Sequence, residues 1–359
     1  VRRARARSSD YSRQDPQRHH RDAEKDDMNS FQWANAATVE DAVKLLKSTD
    51  PKADVDQQPM PMGGGQDLLT SLKAYIVKPP RVVNLKTIQG MDKIEADDKG
   101  GMKLGALVVL STLEEHPEVR AKYPGLAEAA FSIATPQIRN LGTVGGNICQ
   151  RPRCWYFRLE NYQCRKKGGD ECFAKGGENK YNAIFGGGKS NYVHPSDLAP
   201  MLIALDATVT IAGPDGKRTM PLGEFFILPA VNVRRENVLK EGEIVTEIQI
   251  PPAASARSTY LKFKERDSLD FAMSAVAAAI DLAPDKTVRQ ARLVLGGVGT
   301  IPWRVPAAEA FLVGKKLSDE VNSQAAKIAL DGAKPMEQNE YKIPLTQALV
   351  RRALAKLNG

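Results

Sequence analysis

The sequence predicts an α+β protein with a separate C-terminal α+β module, on three observations. Segments of helical and of strand periodicity are interleaved along the whole chain, with no repeat period. The break "PPAASARS" after Ile250 is followed by strands and then helices, so residues 256–359 read as a unit of their own. Three glycine clusters, Gly63–Gly65, Gly145–Gly146 and Gly186–Gly188, punctuate the part that precedes it.

Taken in order, residues 1–27 are almost free of apolar side chains and rich in both charges, so they read as a disordered tail ahead of a domain start at Met28. They lack the apolar core of a secretory signal. "TVEDAVKLLKS" places Val39, Ala42, Val43 and Leu46 on one helical face, with Thr38 and Asp41 spaced as a capping box. Asp67 opens a short helix after "PMGGGQ". "RVVNLKTI" and "GMKLGALVVL" read as strands, and "STLEEHPEVRAKYPGLAEAAFSIAT" as two helices broken near Pro124. "LGTVGGN" reads as a turn, and "GGGKSNYVHPSDLAPMLIAL" passes from loop to helix. "ATVTIAGPDGKRTMPLGEFF" is a hairpin and "EIVTEIQIPP" a strand closed by Pro251 and Pro252. Beyond the break, strands come from "TYLKFKERDSLDFAMSAVAAAIDLAP" and "VRQARLVLGG", and helices from "AAEAFLVG", "SQAAKIALDGAKP" and "TQALVRRALAKLNG".

Composition narrows the function. With 42% apolar and 26% charged residues the chain has the make-up of a soluble globular protein, and no apolar run is long enough to cross a bilayer. The net charge of +8 favours anionic ligands, but with 6% aromatics and no RNA-binding signature the sequence argues against a nucleic-acid partner. The four histidines, His19, His20, His116 and His194, form no nucleophile–base pair, so no catalytic acid–base residue is assigned.

Glycine lets backbone N–H groups close on phosphate oxygens. "AIFGGGKS" nearly matches the triphosphate loop, but Ala183 replaces its first glycine and no buried strand leads into it. "GGVGTIPW" does not fit the Rossmann fingerprint. "GGGQD" and "TVGGN" are more informative as a pair: two loops from different subdomains suit the pyrophosphate of a dinucleotide such as FAD. All four cysteines, Cys149, Cys154, Cys164 and Cys172, fall in one short segment spaced C-x4-C-x9-C-x7-C. Four thiolates match the needs of a [4Fe-4S] cube and equally of structural zinc, and two disulfides are a third possibility; the spacing alone does not name the metal. Arg151, Arg153, Arg158, Arg165, Lys166 and Lys167 surround them.

The ordered motifs "PMGGGQDLLTSLK", "ATPQIRNLGTVGGN", "HPSDLAP", "EIQIP", "YLKFKERDSLDFAMSAVAAAI" and "LGGVGTIPWRVPAAEAFL" resemble the FAD-binding medium subunits of molybdenum hydroxylases, from Met28 to the C-terminus. The resemblance implies a two-subdomain FAD-binding domain of the vanillyl-alcohol-oxidase (PCMH) type over residues 28–252, divided at about 28–87 and 88–252. A C-terminal α+β domain of the carbon monoxide dehydrogenase flavoprotein type follows over 256–359. It implies cofactor contacts at Pro61, Met62, Gly63, Gly64, Gly65, Gln66, Asp67 and Leu68 in the first loop, and at Thr143, Val144, Gly145, Gly146 and Asn147 in the second. Ile133 and Ala134 are expected near the flavin ring, with Asp197, Val245 and Lys262, although Lys264 competes with Lys262 for the last role.

Most family members run from "GGN" to "SDL" in a few residues, whereas here residues 148–195 form an insertion that carries every cysteine. A subset similar to periplasmic-type aldehyde oxidoreductases holds a [4Fe-4S] cluster on such an insertion, which implies Cys149, Cys154, Cys164 and Cys172 as its ligands. The resemblance further implies a large molybdenum-cofactor subunit, a small [2Fe-2S] subunit and an external electron acceptor as partners. The location is then either the periplasm, by co-export with a partner, or the cytoplasm. The alternatives are a stand-alone flavin oxidase with a zinc-stapled loop, and a triphosphate-binding regulator using "GGGKS".

Overall fold

In the computed structural model, residues 28–50, 52–253, 257–267 and 269–358 are described. The charged stretch 1–27 lies outside them, as do residues 254–256 at the expected boundary. Three sheets organise the described chain.

The first is parallel, ordered β1-β3-β2, from β1 (Gln32–Asn35), β2 (Met60–Met62) and β3 (Arg81–Asn84). Parallel neighbours need crossovers, and the helices Val39–Leu45 and Leu68–Lys73 lie on them. Thr38 caps the first helix, its Oγ1 accepting the Asp41 N–H at 3.1 Å, while Asp41 answers the N–H of Ala37 rather than that of the cap. Ala42 and Leu46 are buried on the predicted face. Because β2 ends at Met62, Gly63–Gly65 leave the C-terminal edge of a parallel strand, where α/β proteins place their ligands.

The second sheet is antiparallel, ordered β4-β5-β8-β6-β7, from β4 (Ile94–Ala96), β5 (Met102–Gly105), β6 (Thr208–Gly213), β7 (Gly216–Pro221) and β8 (Ile244–Ile250). β5 is shorter than its apolar run suggests. The backbone turns at Gly105, which sits so close to Met91 that a Cβ would lie 2.1 Å from the Met91 carbonyl oxygen. The stretch after it forms three helices, Leu110–Glu115, Pro117–Lys122 and Pro124–Phe131, rather than two. Pro117 and Pro124 each open a helix and exclude the preceding residue from helical geometry. "TVGGN" is more than a turn: Thr143 Oγ1 accepts the Gly146 N–H at 3.1 Å and caps the helix Val144–Ile148.

The third sheet is antiparallel, ordered β12-β11-β10-β9, from β9 (Arg257–Phe263), β10 (Ser274–Leu282), β11 (Val288–Gly296) and β12 (Trp303–Arg304). β10 is buried on both faces. Ala275, Ala277 and Ala279 pack into the core shared with the second sheet, while Val276, Ala278 and Ile280 pack under the C-terminal helices. Strand alternation thus welds two cores along one strand. Full burial of Val276 and Ile280 stabilises the C-terminal unit by roughly 1.5–3 kcal/mol each.

Lys342 begins the last helix, Lys342–Asn358, and is completely buried. Its Nζ donates to Gly297 O at 2.7 Å and Tyr181 O at 3.0 Å, tying that helix to β11's end and to the insertion. Burial without a carboxylate partner among the described residues pulls its ammonium down to about 7. Above that value the folded protein has lost a proton that the unfolded chain keeps until its ordinary value near 10.5, so folding gains stability as pH rises from 7 toward 10. Thermal melts of wild type and Lys342→Met over this range test it. The difference between the two melting midpoints is expected to be constant below pH 6 and to move in favour of wild type above pH 7. A difference independent of pH contradicts the reading.

Candidate flavin site

A cavity of about 530 Å³ opens between the first two sheets and the third. Of the expected contact residues, Pro61 through Leu68, Ile133, Ala134, Thr143, Gly146, Asn147, Asp197 and Lys262 line it. Val144, Gly145 and Val245 do not. Val144 and Val245 are core residues, and a Cβ on Gly145 would meet Ala106 at 2.9 Å, so that glycine serves packing against β5's end.

The two glycine loops touch backbone to backbone. A Cβ on Gly64 would stand 2.0 Å from Leu141 O and 2.9 Å from Gly142 Cα. Gly65 adopts φ +73°, a left-handed conformation in which glycine carries no Cβ penalty. The pair forms a wall of main chain without bulky side chains, as a pyrophosphate requires. The residues present therefore fit FAD.

At the other end Lys262 Nζ donates to Asp197 Oδ2 at 2.7 Å and to Ser132 O at 3.0 Å, and Tyr260 donates its hydroxyl to Asp197 Oδ1 at 2.7 Å. Lys264 is partly buried, bonds the Asp267 carbonyl and does not line the cavity, so Lys262 is the lysine there. Ala134 and Leu269 meet there through the Leu269 N–H and Ala134 O at 3.3 Å. Both hold positive φ, +43° and +65°. Such backbone costs about 1–3 kcal/mol per residue and clusters at ligand sites.

Asp67 does more than line the cavity. Its carboxylate accepts the Arg151 N–H at 2.7 Å, Arg153 at 2.8 Å and Arg158 at 2.7 Å, all from the insertion. Arg158 also donates to Ser71 Oγ at 2.8 Å. The insertion is thereby clamped onto the helix that follows the first glycine loop. Behind it, buried Glu236 bonds Arg151 at 3.2 Å and Lys166 at 2.7 Å, and Arg151 also pairs with Asp56. Burial pushes the Glu236 carboxyl up, but Arg151 and Lys166 outweigh it and hold it down to about 2. For Lys166 burial wins over Glu236, and its ammonium falls to about 8. Arg151, Arg158 and Lys166 all approach the ring of buried Phe157, at 4.7, 5.6 and 6.0 Å.

The four thiols are unpaired. Cys154 and Cys172 are neighbours: Asn182 Nδ2 lies 3.9 Å from the Cys154 sulfur and 3.1 Å from Asn191 O, and Asn191 Nδ2 lies 3.4 Å from the Cys172 sulfur. Cys164 and Cys154 pack in one apolar cluster with Phe157 and Phe173. Cys149 packs against the main core on the flavin cavity wall, where burial pushes its thiol up to about 12. Among the described residues no three His, Cys, Asp or Glu side chains converge as ligands on one metal position. As placed, the sulfurs do not form the ligand set of a cluster.

"GGGKS" is a turn closed by Asn191, whose Oδ1 accepts the Gly188 N–H at 3.1 Å. No helix begins at Ser190; the next starts at Leu198. The loop lacks the helix N-terminus on which triphosphate loops depend. His194 is buried, its imidazole lowered by that burial to about 4, and its Nδ1 accepts the Ser196 N–H at 3.4 Å. It is a neutral structural side chain.

Sequence reasoning did not mark the cavity's Leu269–Phe271 and Arg234–Glu236 segments. The doubled arginine in "NVRRENV" was the one available signal for the second.

The chain matches the family model for the FAD binding domain in molybdopterin dehydrogenase over residues 29–253, and that for the CO dehydrogenase flavoprotein C-terminal domain over 258–357. It belongs to the FAD-binding medium subunits of the molybdenum hydroxylase family, and is thus a flavoprotein subunit of oxidoreductase type. Among curated proteins it is 34% identical over 320 residues to the aldehyde oxidoreductase FAD-binding subunit PaoB of Escherichia coli (strain K12), covering 86% of this chain and 96% of that protein. It is 26% identical to the carbon monoxide dehydrogenase medium chain of Hydrogenophaga pseudoflava, covering 90% and 96%. Among solved structures, a carbon monoxide dehydrogenase from Hydrogenophaga pseudoflava lacking the Mo-pyranopterin moiety superimposes with a TM-score of 0.71 at 27% identity, covering 92% of this chain and 98% of that one.

Proposed function

We propose that this chain is the electron-transfer subunit of a heterotrimeric molybdenum hydroxylase acting on an aldehyde. In that reading it works beside a large molybdenum-cofactor subunit and a small [2Fe-2S] subunit, and passes electrons on to an external acceptor. The observation that carries the reading is the cavity itself, with main-chain loops and the Lys262–Asp197 pair in its wall. The similarity to an aldehyde oxidoreductase subunit supports the substrate class.

FAD, when bound, supplies reversible one- and two-electron chemistry. The chain's residues position it. The loops of Gly63–Gly65 and Thr143–Asn147 receive the phosphates, and Lys262 offers positive charge toward the ring's polar edge, held in place by Asp197 and Ser132. Tyr260 and Lys262 together hold both carboxylate oxygens of Asp197. A second cavity of about 360 Å³, walled by Trp155 and Tyr181 of the insertion, shares Arg153, Pro195, Asp197, Asp270 and Phe271 with the first. It offers an approach for the acceptor.

The finer reading adds a [4Fe-4S] cluster on Cys149, Cys154, Cys164 and Cys172. Its support is the donor set: four thiols, none in a disulfide, inside one insertion, with side-chain amides beside two of the sulfurs. The placement of the sulfurs does not itself match a ligand set, so no electron step is assigned to the cluster. Metal and labile-sulfide analysis of the co-purified complex tests both levels. The reading expects flavin, molybdenum and iron in the complex, with four iron atoms remaining on this chain after the partners are removed. Zinc on the isolated chain, with aldehyde turnover in the absence of partners, would instead support the stand-alone oxidase.

A further inference from the structure

The carboxylates around the flavin cavity are already engaged by the protein. Asp67 is held by Arg153 and Arg158, Asp197 by Lys262, Glu236 by Arg151 and Lys166, and Glu243 by Arg218. Arg235 lines the same cavity, and among the described residues no carboxylate lies within ion-pair distance of it. Its neighbour Arg234 shows the contrast, pairing with Asp54 at 2.6 Å and Asp56 at 2.8 Å.

Two neutral acceptors hold the Arg235 fork in place: Leu239 O takes one NH1 hydrogen at 2.8 Å, and Gln58 Oε1 takes one from NH2 at 3.3 Å. A guanidinium has five N–H donors, so three remain for a ligand. Burial pulls its pKa below the ordinary arginine value, but an arginine side chain stays charged. Glu236, Glu241 and Glu243 attract this half-buried cation only from beyond bonding distance, so its free donors remain open to an arriving anion. The expected occupant carries a diphosphate, and a fixed planar fork suits phosphate oxygens.

We propose that Arg235 is a phosphate-binding residue of the flavin site, which supplements the glycine loops and makes the cavity select FAD over flavins without phosphate. The proposal rests on the FAD reading and adds to it a side chain outside the two loops. Gln58 is its positioning partner.

The test uses the full chain, stripped of flavin and titrated with FAD and with riboflavin, for wild type, Arg235→Gln and Arg235→Lys. Arg235→Gln is expected to weaken FAD about tenfold to a hundredfold, the range for losing hydrogen bonds to a charged group. Riboflavin affinity should stay within about twofold, since it makes no such bond. Arg235→Lys should restore part of the loss, and FAD affinity should fall more steeply with added salt in wild type than in Arg235→Gln. Equal losses for both flavins would mean that Arg235 only supports packing, and unchanged FAD affinity would mean that it does not reach the phosphates; either overturns the proposal. A wild-type chain that binds neither flavin overturns the FAD reading itself, which the riboflavin arm separates from a failure of Arg235 alone.

Discussion

Replacing Gly64 by alanine is expected to abolish flavin retention, lowering FAD affinity by at least about a hundredfold, or roughly 3 kcal/mol. The reason lies in how the two loops meet. The new Cβ would fall 2.0 Å from Leu141 O and 2.7 Å from Leu141 C, which are main-chain atoms with no rotamer to yield. The loops must move apart, and the wall of N–H groups they share opens with them. Gly146→Ala is the matched control. Its Cβ would meet only Thr143 Oγ1, at 3.0 Å, and alanine favours the helix that Gly146 occupies. That variant should keep its thermal stability and lose much less affinity. Isothermal titration of the stripped chains with FAD, alongside thermal melts, reads both quantities. If Gly64→Ala binds FAD as wild type does, the two loops do not jointly form the site.

Glu236→Gln is expected to destabilise the protein by about 3–5 kcal/mol, the cost of breaking a buried ion pair from one side. The substitution leaves Lys166, 1% exposed, with no carboxylate at bonding distance. Arg151 keeps Asp56 and loses its second partner. The effect has a pH signature. Glu236 is held down to about 2 in the folded protein against an ordinary 4.5, so its stabilisation is complete above pH 4.5 and is lost as pH falls toward 2. Chemical denaturation at pH 7 should show the full difference between wild type and variant, and the difference should shrink below pH 4. Because Arg151 also donates its N–H to Asp67, flavin affinity should fall along with stability. A variant that unfolds at the wild-type denaturant concentration would show that the network is not what anchors the insertion.

The elements that local chemistry dictates were readable in the sequence. Thr38 announces its helix, Gly213 to Gly216 the hairpin turn, and "SAVAAAI" a strand. The misreadings have a common source. Pro117 was taken as internal to a helix although it begins one, and Thr143 was not recognised as a cap, so a five-residue helix looked like a turn. β5 ends early because of a contact with Met91 that lies fourteen residues before Gly105 in sequence and is invisible to any local window. The glycine loops were legible because their residue type states their purpose. Arg235 was not, since an arginine between strands reads as solvated until the fold shows that no carboxylate among the described residues pairs with it. The role of Asp67 as a clamp on the insertion was equally hidden, for its arginine partners lie 84 to 91 residues away.

The cysteines show the limit of pattern. Their concentration in residues 149–172 was plain from the sequence, and the resemblance supplied a cluster. The fold sets Cys154 beside Cys172, packs Cys164 with Cys154, and puts Cys149 on the flavin wall. Residue counting could not have placed one of the four thiols on the flavin cavity wall.

The central claim is most directly tested by the visible absorbance of the flavin when an aldehyde is added anaerobically, first to this chain alone and then to the complex purified with its partners. The account predicts one FAD per chain in both preparations, a flavin that stays oxidised in the isolated chain, and bleaching of the same band in the complex. A chain that carries no FAD, or one whose flavin is bleached by aldehyde without any partner, would contradict it.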